Sequence, residues 1–142
     1  MSNIDFYILS KSGEKNRHQF VCRLTEKAYN LKNKIHINLD NNKKSTLMDS
    51  LLWTFRNDSF LPHSIINLSS KNPETPITLG ISITPVERYD LLINLAENIP
   101  NDAKNFPRIA EIITSDEDIK SSSRKRYVDY RDQGHKLTTH KL

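Results

Sequence analysis

Ile35-His36-Ile37-Asn38-Leu39 is the stretch that decides the fold. It is alternating and β-branched, and the polar cluster Asp40-Asn41-Asn42 closes it. A period of two reads as a strand. The residues before it keep a different period: Phe20, Val21, Leu24, Ala28 and Leu31 recur at helical spacing up to about Asn33. Upstream of a polar turn around Gly13, Ile4-Asp-Phe-Tyr-Ile-Leu9 is a short apolar run that reads as a buried strand. Downstream, Asp40–Asn42 is a turn and cap cluster for a second helix marked by Leu47, Met48, Leu51, Leu52 and Phe55. Strands alternating with helices predict a parallel sheet covered on both faces, joined by right-handed crossovers. The expected class is α/β: three layers, a mostly parallel sheet with helices on both faces, Rossmann-like in outline.

The second half continues the pattern. Ile65–Leu68 is a candidate short strand, Ile77–Ile83 another, and Tyr89–Leu95 the clearest central strand of this half. Pro100 and Pro107 interrupt the segment from Ile99 to Pro107, which holds one helical turn or none. Ile109–Ile113 reads as the last strand. Ser115, with Asp118 three residues on, is a capping-box-like start to a final helix, and Gly134 is a natural C′ residue just past its end.

Composition narrows the classes. A chain of 142 residues is expected to form a single domain, residues 1–142. The net charge of +4 favours acidic partners, although 17 acidic residues are interspersed with the 21 basic ones. Cys22 is the sole cysteine, which excludes an intramolecular disulfide and any multi-cysteine zinc site and fits a reducing cytoplasm. No apolar run has membrane-spanning length, and Met1–Asp5 carries no secretory signature, so a soluble cytoplasmic protein without a membrane partner is expected.

Catalytic and cofactor chemistry has no visible seat. The only glycines are Gly13, Gly80 and Gly134, too far apart to write a dinucleotide fingerprint or a P-loop, so no nucleotide site and no cofactor is expected. None of the five histidines forms an HExxH pair. His36, flanked by Ile35 and Ile37, reads as a packed or rim histidine. Asp116, Glu117 and Asp118 resemble a metal cluster, but carboxylates in a first helical turn are better explained by the helix dipole.

Two features remain. Lys120, Arg124, Tyr127 and Arg131 follow one another at steps of four, three and four residues, which on a helix lines three cations and an aromatic ring along one face. Such a face is either simply solvated or made to receive an acid. Tyr127 argues for the acid, because a solvating face gains nothing from an aromatic ring, and Ile112-Ile113 would supply an apolar floor. Guanidinium groups suit an acidic peptide or a terminal carboxylate as well as a phosphate. The second feature is Trp53-Thr-Phe-Arg-Asn-Asp-Ser-Phe-Leu-Pro-His63, whose aromatics either close one end of the core or form an exposed patch that anchors a protein partner.

Trp53 with Ser59-Phe-Leu-Pro-His63, taken together with Arg124-Lys-Arg-Tyr-Val-Asp-Tyr-Arg131 and Gly134, resembles the chi subunit family of bacterial DNA polymerase III holoenzyme. Phe6–Leu9 and Asp90–Leu95 fit it as well, so the resemblance runs nearly end to end. It departs from the family at Pro100 and Pro107, where family members are more helical. The resemblance implies a non-enzymatic clamp-loader accessory subunit with a Rossmann-like fold and no nucleotide site. It implies binding to the acidic C-terminal tail of single-stranded-DNA-binding protein through Lys120, Arg124 and Tyr127 with Ile113 as an apolar neighbour; Arg131 extends the stripe by one turn. It also implies a psi-subunit interface at Trp53 and Phe60, with Leu61 and Pro62 as neighbours. DNA would be met only indirectly. The rival readings are a small basic module that binds single-stranded DNA directly, and a small enzyme with an unrecognised site.

Overall fold

The computed structural model describes residues 2–55, 61–66, 75–81, 89–100 and 103–142. Its strands are β1 (Asn3–Ile8), β2 (Ile35–Leu39), β3 (His63–Ile65), β4 (Ile77–Ile81), β5 (Leu91–Asn94), β6 (Arg108–Ile113) and β7 (Lys136–Lys141). The helices are α1 (Glu14–Asn30), α2 (Asn42–Thr54) and α3 (Glu117–Asp132), with one 3-10 turn at Ala103–Asn105. Among the described residues the strands form one sheet in the order β3-β4-β2-β5-β6-β1-β7, and every pairing is parallel.

Period-two alternation splits the core into two layers. Ile35, Ile37, Leu91, Ile93, Ala110 and Ile112 face α1 and α2, where Val21, Cys22, Met48 and Leu52 cover them. Ile4, Phe6, Leu92, Ile109 and Ile113 face the other way, onto Tyr130 and Ile119 of α3 and onto Ala103 and Phe106. Fully burying each of the larger aliphatic side chains contributes about 1.5–3 kcal/mol. Helices therefore lie on both faces of the sheet, and all five residues of β2 are buried. The three-layer α/β architecture expected from the alternation is the one observed. His36 is packed, with Nδ1 2.8 Å from the Thr78 hydroxyl and its ring stacked against Phe106.

Three expectations change. Ile109–Ile113 is not the last strand: β7 follows α3 and joins the sheet edge beside β1. The short strand expected at Ile65–Leu68 lies earlier, at His63–Ile65, and residues 67 and 68 are outside the described set. The start of α3 is capped by Asp116 rather than Ser115. The Asp116 carboxylate turns back to accept the Thr114 hydroxyl at 2.6 Å and the Gly13 N–H at 2.9 Å. Those two bonds, the Thr114 bond foremost, hold its pKa below the ordinary aspartate value. Between Pro100 and Pro107 one helical turn does form. Gly134 takes φ +85° just past the end of α3, the left-handed conformation that favours glycine.

Candidate functional site

Two of the clefts that flank α3 differ in the charge of their linings. The first opens at the carboxyl ends of β2 and β5, where open α/β sheets commonly take ligands. It has a volume of about 450 Å³. The carboxylates of Glu14, Asp40, Glu97, Asp116 and Asp118 line it. Its two buried guanidiniums are already engaged. Arg17 donates to the carbonyls of Ile112 (3.0 Å) and Leu95 (3.3 Å). Arg126 donates to the Glu97 carbonyl at 2.9 Å. Glu14 is bonded to His18 and Arg17, which hold its pKa down at about 2. Glu14 opens α1, at the helix end where a nucleotide-binding fold would seat phosphate. So many carboxylates around engaged arginines suit a phosphate badly.

The second cleft, a groove of about 420 Å³, has the opposite character. Lys120, Arg124, Tyr127 and Val128 of α3 form its wall, and Phe6, Ile8, Ile113 and Thr139 form its floor. Among the described residues no carboxylate lines it. The Tyr127 ring lies 5.2 Å from that of Phe6, so it is fixed from below while 38% of the residue stays exposed. Arg124 is exposed and has no hydrogen-bond or ion-pair partner among the described residues. Lys120 Nζ stands 4.0 Å from Glu117, the outer limit of an ion pair.

The helix is anchored from beneath. Glu111, 0% exposed on β6, accepts from Arg126 Nε at 3.0 Å and from the Tyr130 hydroxyl at 2.7 Å. Asn94 donates to the same carboxylate at 2.9 Å and accepts from Asn38 at 3.0 Å. This row crosses the sheet from β2 to α3. Burial, and secondarily the Glu111 charge, push the Tyr130 phenol well above its ordinary pKa. With Arg126 and Tyr130 turned inward, the helix can only present Lys120, Arg124 and Tyr127 over β1 and β7.

Of the residues singled out in the sequence, Lys120, Arg124, Tyr127 and Ile113 converge on the groove. Arg131 does not line it; it lies a turn beyond Tyr127 beside Asp132, at 3.4 Å. Phe6, Ile8, Val128 and Thr139 escaped the sequence reading, since no local pattern brings β1 and β7 under α3. The polar row had a signal: Glu111 sits inside an otherwise apolar strand, and a buried carboxylate needs a partner.

At the other end of the molecule Trp53 is 49% exposed, with its ring 4.6 Å from that of His63. His63 is held by the Leu61 carbonyl and by Asp49. Leu61, expected on the partner-facing patch, is instead 1% exposed and belongs to the core beneath α2, because the chain turns inward to start β3. Pro62 is half-buried, and Phe60 lies outside the described residues. Among the described residues no group of histidine, cysteine and carboxylate side chains has the geometry to hold a metal ion, and no helix is long and apolar enough to cross a membrane.

The fold is shared widely. The crystal structure of T4 UvsW matches with a TM-score of 0.67 over 99% of this chain and 41% of that chain, at 7% identity, a likeness of fold alone. Sequence comparison is more specific. The DNA polymerase III subunit chi of Pseudomonas aeruginosa is 34% identical, covering 100% of this chain and 98% of that protein. The proteins of the same description from Haemophilus influenzae and Escherichia coli are 29% and 26% identical, over 94% and 98% of this chain and 93% and 97% of their own lengths. The family model described as DNA polymerase III chi subunit, HolC, matches residues 1–138. A match running almost the whole length of the chain shows that it belongs to the DNA polymerase III chi subunit family.

Proposed function

We propose that the chain is a non-catalytic bridging subunit working in the cytoplasm. One surface takes the acidic C-terminal tail of single-stranded-DNA-binding protein, and another meets the psi subunit of the clamp loader. The observation that carries the first half is the lining of the α3 groove: the cations Lys120 and Arg124 at one side, an apolar floor, and no carboxylate among the described residues. A peptide that ends in an apolar residue and a free carboxylate, preceded by acidic residues, complements both parts. Lys120 and Arg124 neutralise the carboxylates, and Tyr127, Phe6 and Ile113 cover the terminal side chain. Arg124 is exposed and Lys120 half-exposed, so each contact is weak and screened by salt. Many tails on coated DNA raise the effective affinity. DNA itself is then one protein away.

Trp53 supports the second half. It is a half-exposed tryptophan on a short helix, held in place by His63, of the kind that anchors interfaces. Phe60 and Pro62 extend that patch in the sequence, and Leu61 supports it from the core.

The test is calorimetric titration with an acidic peptide bearing a free C-terminal carboxylate, beside the same peptide amidated. Tail capture requires a loss of about tenfold or more on amidation, and a similar loss in Arg124→Glu with the fold intact. Equal affinity of wild type and Arg124→Glu overturns the reading. Binding of naked single-stranded DNA with a steep salt slope would put the direct nucleic-acid reading in its place. Trp53→Ala should leave peptide binding unchanged and weaken psi binding.

A further inference from the structure

The tail groove does not close on its outer side. Its floor reaches Thr139 on β7, and among the described residues β7 is the edge strand of the sheet, paired on one side with β1 and open on the other. The N–H groups of Lys136 and Leu142 donate inward, to the carbonyls of Ser2 and Ile8. In a parallel strand the N–H and C=O of one residue point to the same side and alternate along the chain. Leu137, Thr139 and Lys141 therefore present their backbone N–H and C=O groups to the open edge. An exposed edge of this kind is a template for another strand.

Charge decides which strand it admits. Thr139 stands in register with Phe6 and Lys141 with Ile8, the two β1 residues of the groove floor. Lys141 is exposed, two residues beyond Thr139, and by alternation its side chain lies on the groove face. With Lys136 at the other end, the edge repels a second copy of itself and attracts an acidic chain.

We infer that the outer edge of β7 takes the acidic segment upstream of the captured C-terminus as an added, extended strand, with backbone hydrogen bonds to Leu137, Thr139 and Lys141. The inference rests on the tail-capture reading above. Terminal residues seated in the groove beside Tyr127 leave it over Thr139, which delivers the preceding backbone onto this edge. Side chains in the groove then set specificity, and main-chain pairing adds affinity that is indifferent to the order of the acidic residues.

The probes are three acidic peptides with free C-termini: a long one, a short one confined to the groove, and the long one N-methylated on alternate upstream backbone nitrogens. On wild-type protein the long peptide is expected to slow amide hydrogen exchange at Leu137, Thr139 and Lys141, and the short one is not. N-methylation should weaken the long peptide about tenfold although its charge is unchanged. Thr139→Pro removes one outward donor without touching the β1 ladder, and should lower the affinity of the long peptide severalfold. Normal exchange at those three amides, with equal affinity of the plain and N-methylated peptides and binding still lost in Arg124→Glu, overturns the strand and leaves tail capture standing. Failure of wild type to bind any of the peptides overturns both.

Discussion

Arg126 and Glu111 meet inside the protein, Nε to Oε1 at 3.0 Å, and join helix α3 to strand β6 where neither side chain is more than 4% exposed. A buried pair of this kind is costly to break from one side, because the remaining charge is stranded. Arg126→Ala should therefore lower stability by about 3–5 kcal/mol. Tyr130→Phe, which removes one bond to the same carboxylate, should lose about 1–3 kcal/mol. Chemical denaturation measures both. Replacing Glu111 and Arg126 together by apolar residues of similar volume should recover much of the loss, which a purely additive scheme does not allow.

Glu14 makes part of the stability depend on acid. Its folded pKa of about 2 lies below the ordinary value of 4.5, so the protein holds fewer protons than the unfolded chain between those values. The contribution is complete above about pH 4.5 and fades as the pH falls toward 2. Because the Glu14 side chain is 45% exposed, screening limits it to about 1 kcal/mol or less. In Glu14→Gln the acid limb of the stability curve should be shallower and the curve at pH 7 slightly lower.

Cys22 is 1% exposed, and burial pushes its thiol up to about 12. At pH 8 the folded protein should resist alkylation, since the thiolate is the reactive form. Labelling should proceed only through unfolding, with a rate that rises with denaturant as the unfolded fraction does. Rapid labelling of native protein would contradict the placement of Cys22 beneath the sheet.

Gly134 has nothing within 4 Å of where a Cβ would stand, yet its φ is +85°. Gly134→Ala should cost about 1 kcal/mol through backbone conformation alone. Since the turn it makes leads α3 into β7, the loss should come with faster amide exchange in Lys136–Lys141.

Salt should separate the two proposed interfaces. Peptide affinity at the α3 groove should fall about tenfold between 0.05 and 0.5 M salt, as the Debye length shrinks below the reach of Lys120 and Arg124. Binding through the Trp53 patch, which is largely apolar, should change little over the same range. Equal salt dependence at both would count against the division of labour.

What the sequence determined by itself was whatever a single element's period can express. Ile35–Leu39 was legible to the residue because its β-branched alternation is closed by the polar cluster Asp40–Asn42. The line Lys120, Arg124, Tyr127 was legible because helical spacing alone places those side chains together. The same spacing included Arg131, and only the tertiary structure set it outside the groove, whose lining on α3 ends at Val128. Strand β7, Lys-Leu-Thr-Thr-His-Lys, was not legible: it holds its place by backbone bonds to β1 and little apolar burial, and backbone bonds leave no mark on composition. The floor of the groove was hidden for a related reason. Phe6, Ile8, Ile113 and Thr139 come from three strands distant in the chain, and only parallel pairing brings them side by side. The inward anchoring of Arg126 likewise needed the sheet, because a cation on a helix looks the same in sequence whether it meets water or a buried carboxylate.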